Sequence, residues 1–162
     1  MDKKVKLYFT IGAIIVSILG TLGHFAYEWS GQNPIVGLFT SLDESVWEHI
    51  KLLFFPMLVV GSFLVTSLKE NYPAVLPGLL AGNLAGCIMI PVIYYTYSSI
   101  LGRNISWIDI SIYYICVSLA FAIAYDMTIN EKGAAYTKPL LLATALTAAA
   151  FILKSLPLVL PA

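Results

Sequence analysis

An all-α integral membrane bundle of five transmembrane helices, N-terminus in the cytoplasm and C-terminus outside, is the fold class the sequence predicts. Three observations carry it. Of the 162 residues, 59% are hydrophobic and 11% charged, against roughly 25% charged in an ordinary soluble domain. So much apolar surface cannot be hidden inside a soluble domain of this size, so the solvent is lipid. Second, five stretches can each cross a hydrocarbon core of about 30 Å, which takes roughly 20 helical residues. Third, the lysines are distributed unevenly between the two sides that such a topology creates.

The expected spans are about 7–29, 46–68, 74–101, 110–129 and 139–158, all in one polytopic domain. The first opens "MDKKVKLYFTIGAIIVSILG". It mimics a signal peptide, but its apolar stretch is too long and no A-x-A-like site follows, so it reads as a retained span. Residues 30–45, "SGQNPIVGLFTSLDES", form the long connection. Their apolar piece, Pro34–Phe39, either re-enters the membrane edge or lies along its surface. With the N-terminus in the cytoplasm, Lys3, Lys4, Lys6, Lys69, Lys132 and Lys138 fall inside, and only Lys51, Arg103 and Lys154 lie toward the outside. Trp29, Trp47 and Trp107 then share the outer level, where indoles prefer the headgroups.

Span 3 carries Gly78, Gly82 and Gly86 four residues apart, a stripe that lets another helix approach closely. The stripe is a candidate interface for a second copy or a membrane partner. Asn83 beside it needs a hydrogen-bond partner on a neighbouring helix. Pro91 is expected to kink the span. Net charge is zero, with nine basic and nine acidic residues, which leaves no basic field for nucleic acid. Cys87 and Cys116 lie within apolar runs, against a disulfide framework.

The charges gather at one place. Span 1 ends "GHFAYEW", and His24 and Glu28 are four apart, on one helix face. Span 2 is entered through "SLDESVWEHIKLLFFP". Ser41 with Glu44, and Ser45 with Glu48, each fit a capping box, so the helix starts near Leu42 or Val46. The topology brings His24, Glu28, Glu44, Glu48 and His49 to one outer level, with Lys51 and Lys154 available to balance the carboxylates. Imidazole with carboxylate is donor chemistry for a divalent transition metal, for which His24, Glu28, Glu48 and His49 are the candidate ligands. The structural alternative is that the carboxylates only cap and complement their helix dipole, that Lys51 and Lys154 reach for the interface, and that His24 bonds a neighbouring carbonyl. Asp126 reads as a boundary residue of span 4, and Tyr94, Tyr95, Tyr97, Tyr113 and Tyr114 as an aromatic belt of which one or two line a pocket above the cluster.

The stretch Ser45-Val46-Trp47-Glu48-His49-Ile50-Lys51-Leu52, following a histidine near the end of span 1, resembles small bacterial multi-pass membrane proteins of a family of unknown function. The resemblance covers most of the chain and implies a bacterial inner-membrane protein, without implying an activity. Three functions follow from the residues: a polar site binding an ion or small ligand for transport or sensing, an intramembrane enzyme with an optional zinc ion, and a structural or partner-binding subunit. A polar path across the bundle through Asn83 toward Asp126 is the mark of transport. A metal with a water-filled cleft marks the enzyme, and a sealed core with paired charges marks the structural role.

Overall fold

The computed structural model describes residues 2–159, and among them the fold is a bundle of six α-helices and one short 3-10 helix (Ala134–Tyr136), with no strand. Five are long and apolar enough to cross a membrane. They are α1 (Asp2–Trp29), α3 (Val46–Leu68), α4 (Val75–Leu101), α5 (Ser106–Ile129) and α6 (Thr137–Val159). The sixth, α2 (Pro34–Phe39), lies in the long connection. The 28 residues of α1 rise about 42 Å, enough to span and protrude. Helix α1 begins five residues before the expected span, and α5 four residues before, because turns outside the hydrocarbon stay helical.

Turn chemistry sets the connections. Gly31 and Gln32 take positive φ, reversing the chain after α1. Asn33 then caps α2 by accepting from the Ile35 N–H (2.9 Å), with Pro34 in the first turn where no N–H is required. Gly102, at φ 67°, closes α4 in the left-handed conformation that glycine adopts without strain.

Helices α4 and α5 form the most extensive pair, α3 packs on both α1 and α4, and α5 also meets α1. Helix α6 is peripheral, held by α2 and α4. The core among α1, α3, α4 and α5 holds Val16, Leu53, Phe54, Met57, Cys116 and Val117, all essentially inaccessible. Exposed Leu7, Ile14, Ile18, Phe63, Ile88 and Leu146 clothe the outside. Water would make that surface an aggregation hazard; lipid makes it the natural one.

The glycine stripe of α4 is used inside the chain. A Cβ on Gly78 would lie 2.8 Å from the Ala124 carbonyl oxygen, and one on Gly82 would overlap the Ala120 carbonyl oxygen. All three glycines are buried against α5. This corrects the expectation of a stripe open to a second copy or partner, because α5 already fills it. Asn83, fully buried, donates to the Phe54 carbonyl of α3 (3.2 Å). Helix α4 continues through Pro91, and α3 through Pro56. Pro56 has no N–H for the Leu52 carbonyl four residues back. The Tyr113 hydroxyl from α5 lies 3.3 Å from that oxygen and 3.0 Å from the Val16 carbonyl of α1, joining three helices at one proton.

Candidate functional site

The segment 41–51 sends its charges in two directions. The entry turn is fixed first. The Ser41 hydroxyl donates to the Asp43 carbonyl (2.8 Å), and Asp43 Oδ1 accepts from the Ser45 N–H (2.8 Å). The Ser45 hydroxyl, against the opposing effect of partial burial, holds the Asp43 carboxyl below the usual carboxylate range. Ser45 caps α3, its Oγ accepting from the Glu48 N–H (3.4 Å). Only half of a capping box forms, since Glu48 does not reach back to the cap residue, and Ser41 with Glu44 forms none.

Glu48 and Lys51 turn inward. Both are fully buried, and Lys51 Nζ lies 2.6 Å from Glu48 Oε2. The ammonium also donates to the Gly37 carbonyl at the end of α2 (3.0 Å) and to the Ser155 hydroxyl of α6 (2.9 Å). Its three donors thus meet three acceptors. A cation at the carbonyl end of a helix is favourable in itself. Glu48 Oε2 accepts in addition from the Leu42 N–H (3.1 Å). This pair therefore ties α3, α2, α6 and the entry turn together. Of the two expectations for Lys51, it does balance a carboxylate, that of Glu48, and it does not reach for the interface. It is a buried strut instead, because α2 folds back over it and Gly37 leaves room, in contact with Val159 and Tyr27, for the helices to close.

Glu44 turns the other way. It sits on the turn before α3, its side chain 81% exposed, and its Oε2 lies 3.5 Å from His24 Nε2 of α1 and 3.6 Å from His49 Nε2 of α3. The two imidazoles meet edge to face at 5.2 Å, and His24 stacks on Phe25. One ligand atom from each of His24, Glu44 and His49 falls within 4.8 Å of the others. His49 Nδ1 lies 2.8 Å from the Ser45 carbonyl. A carbonyl only accepts, so Nδ1 carries a hydrogen, and Nε2 is the ring nitrogen that faces Glu44. That is the arrangement by which an outer partner fixes a ligating histidine.

Of the other sequence-selected residues, Glu28 is exposed one turn beyond His24 and joins neither group. Lys154 stands 5.4 Å over the Trp47 ring rather than on a carboxylate. Asp126 is exposed at the opposite end, paired with Lys132 at 3.0 Å. The carboxylate among the histidines is thus Glu44, not Glu28 or Glu48. The reason lies in the turn, which clamps Glu48 to Leu42 and leaves Glu44 as the free side chain.

These three residues edge a cavity of ≈ 510 Å³ enclosed by α1, α3, α4 and α5. Exposed Glu44 and Asn104 mark its mouth, and buried Gly20, Leu52 and Ile90 its floor. Gly20 has no side chain because the Tyr113 hydroxyl occupies that place. Asp109, which composition and spacing did not single out, lines the wall with Tyr94 and Tyr114. Tyr97 bonds Asp109 Oδ1 and accepts from the Ile105 N–H (3.1 Å). The only advance signal for Asp109 was its place in the first turn of a helix.

Among curated proteins, the chain is similar to the heme A synthase of Ehrlichia ruminantium (strain Gardel), 27% identical over 103 residues, which are 59% of this chain and 30% of the synthase. The heme A synthase of Ehrlichia canis (strain Jake) is 27% identical over 120 residues, 69% of this chain and 34% of its own. The chain therefore spans about a third of the length of these curated relatives. No solved structure matches it. Over residues 1–161 it matches the model of a family of unknown function, DUF6512, and to that family the chain belongs.

Proposed function

We propose that this membrane protein binds a divalent transition-metal ion through His24, Glu44 and His49, and that the ion and the cavity behind it form a ligand-binding or sensing site open on one side only. The observation that carries the reading is the spacing of the donors. Zinc bonds to nitrogen and oxygen are about 2.0–2.2 Å, so adjacent ligands of a tetrahedral ion lie roughly 3.4 Å apart. The two imidazole nitrogens stand 3.5 and 3.6 Å from Glu44 Oε2. Two nitrogens and an oxygen suit zinc, iron or copper and would leave a coordination position open for a further ligand. Sensing is favoured over transport by what lies beneath the floor. Asn83 and the Phe54 carbonyl satisfy each other inside an apolar core, and the path toward Asp126 is packed with Met57, Val117, Ala120 and Phe121.

The test is titration of the purified protein with zinc, with cobalt as a spectroscopic stand-in. One ion per chain is expected. His49→Ala and Glu44→Ala should each weaken binding by more than the roughly 10–100-fold typical of losing an outer partner, while Glu28→Ala should change nothing. Absence of stoichiometric binding, or equal sensitivity at Glu28, would sink the reading.

The mouth faces outward in this reading. Lys69, Lys132 and Lys138 sit at the end opposite to exposed Trp29 and Trp107, in agreement with the positive-inside rule. Gln32→Cys should be labelled by an impermeant thiol reagent added to intact cells, and labelling that waits for permeabilised membranes would reverse the orientation. A second reading, a metal-dependent enzyme, is favoured by the likeness to heme A synthase, an enzyme by its name. The convergence of both histidines on one carboxylate oxygen favours a single ion there over a flat macrocycle slotted between the rings.

A further inference from the structure

The cavity is far larger than a metal ion requires. At ≈ 510 Å³ it falls within the roughly 300–1,000 Å³ of small-molecule sites. We infer that it takes a small organic cation, whose protonated nitrogen is held by Asp109 and whose hydrocarbon lies among Tyr94, Tyr113 and Tyr114. The inference rests on the cavity being the ligand site, as proposed above, and names the class of molecule.

Charge comes first. Glu44 and Asp109 line the cavity, and no lysine or arginine does. Arg103, adjacent in sequence to the lining residue Asn104, is exposed and makes no ion pair among the described residues. Asp109 therefore faces its ligand with no lysine or arginine to neutralise it, and a protonated amine supplies that partner whether or not an ion occupies the His24, Glu44 and His49 group.

Orientation comes second. Asp109 is half-buried, and Tyr97 holds its Oδ1, with the Tyr97 hydroxyl itself fixed by the Ile105 N–H. The second oxygen, Oδ2, has no partner among the described residues and is available to a charge-assisted hydrogen bond. The aromatic wall comes third. The hydroxyl of Tyr113 is committed to the backbone carbonyls of Val16 and Leu52, and that of Tyr114 to Thr21 (3.0 Å). These side chains therefore offer the cavity ring surface more than hydrogen bonds. Ring surface attracts cations and covers hydrocarbon.

The experiment compares phenethylamine, protonated at neutral pH, with 2-phenylethanol, a neutral molecule of similar size and shape. Binding to the full-length protein is measured by calorimetry or saturation-transfer NMR, with and without zinc. The amine should bind roughly tenfold more tightly, the effect of one charge-assisted hydrogen bond. Asp109→Asn keeps the shape and still accepts from Tyr97. It should bring the two molecules level while leaving zinc affinity and melting temperature unchanged. Equal binding of amine and alcohol to the parent protein, or a preference that survives Asp109→Asn, overturns the inference. Zinc binding is read in the same samples. If zinc fails to bind but the Asp109-dependent preference holds, the metal reading falls and the cation subsite stands. The converse result removes the subsite and leaves the metal.

Discussion

Lys51→Met should lower the stability of the bundle by about 3–5 kcal/mol, the usual cost of stranding one partner of a buried ion pair. Methionine matches the length of the aliphatic stem, so packing is nearly kept. The loss comes from the carboxylate left behind, since Glu48 is fully buried and its Oε1 already has no hydrogen-bond partner. The Gly37 carbonyl and the Ser155 hydroxyl lose their donor as well. Lys51→Met combined with Glu48→Leu should be more stable than Lys51→Met alone, although it deletes more bonds, because no charge is left unpaired. It should not return to the parent, since the Leu42 N–H and Gly37 carbonyl stay unsatisfied at about 1–3 kcal/mol for each buried group. Melting in detergent micelles measures all three proteins. A single variant within about 0.5 kcal/mol of the parent, the range of a neutral surface change, would mean that the pair is not a strut. Zinc affinity should fall in the single variant too, because Glu48 fixes the turn that presents Glu44.

Gly82→Ala and Gly61→Ala are the same chemical change and should have opposite signs. At Gly82 the new methyl would overlap the Ala120 backbone carbonyl, and it would lie 3.0 Å from the Ala124 Cβ. Neither can rotate away, so α4 and α5 must separate, at a cost of about 1–3 kcal/mol for overpacking. Gly82→Leu should lose more. At Gly61 a methyl would meet only Leu79 side-chain atoms, at 3.7 Å and beyond, in ordinary contact. The helix-propensity gain of roughly 0.5–1 kcal/mol over glycine then stands unopposed. Thermal melts of the two variants decide the matter. Equal shifts in one direction would show that backbone propensity, not the approach of α5, governs the stripe.

The spans were legible because length and apolar content alone specify a membrane helix, and neither depends on tertiary detail. The partner of the glycine stripe was not legible, since small residues record that something comes close without saying what. The cluster divides the same way. His24 and His49 share a level in any arrangement of adjacent antiparallel helices, which follows from counting residues from the turn. Which carboxylate joins them depends on the path of residues 40–45, fixed by Ser41, Asp43 and Glu48 through contacts without helical period. That Lys51 balances a carboxylate was legible, but its burial was not: an apolar helix gives no sign that a distant Ser155 will meet its ammonium. Asp109 was passed over because a lone acid at a helix start is common, and only Tyr97 and the cavity distinguish it.

In the proposed reading the cavity is a cul-de-sac. The Tyr113 hydroxyl seals the break that Pro56 leaves in α3, and the aromatic and aliphatic core closes behind it. On the proposed reading a solute that enters returns to the compartment it came from, so its occupancy would follow the concentration on that side alone. A chamber of that kind would keep count of one side of the membrane, or alter a molecule there and hand it back.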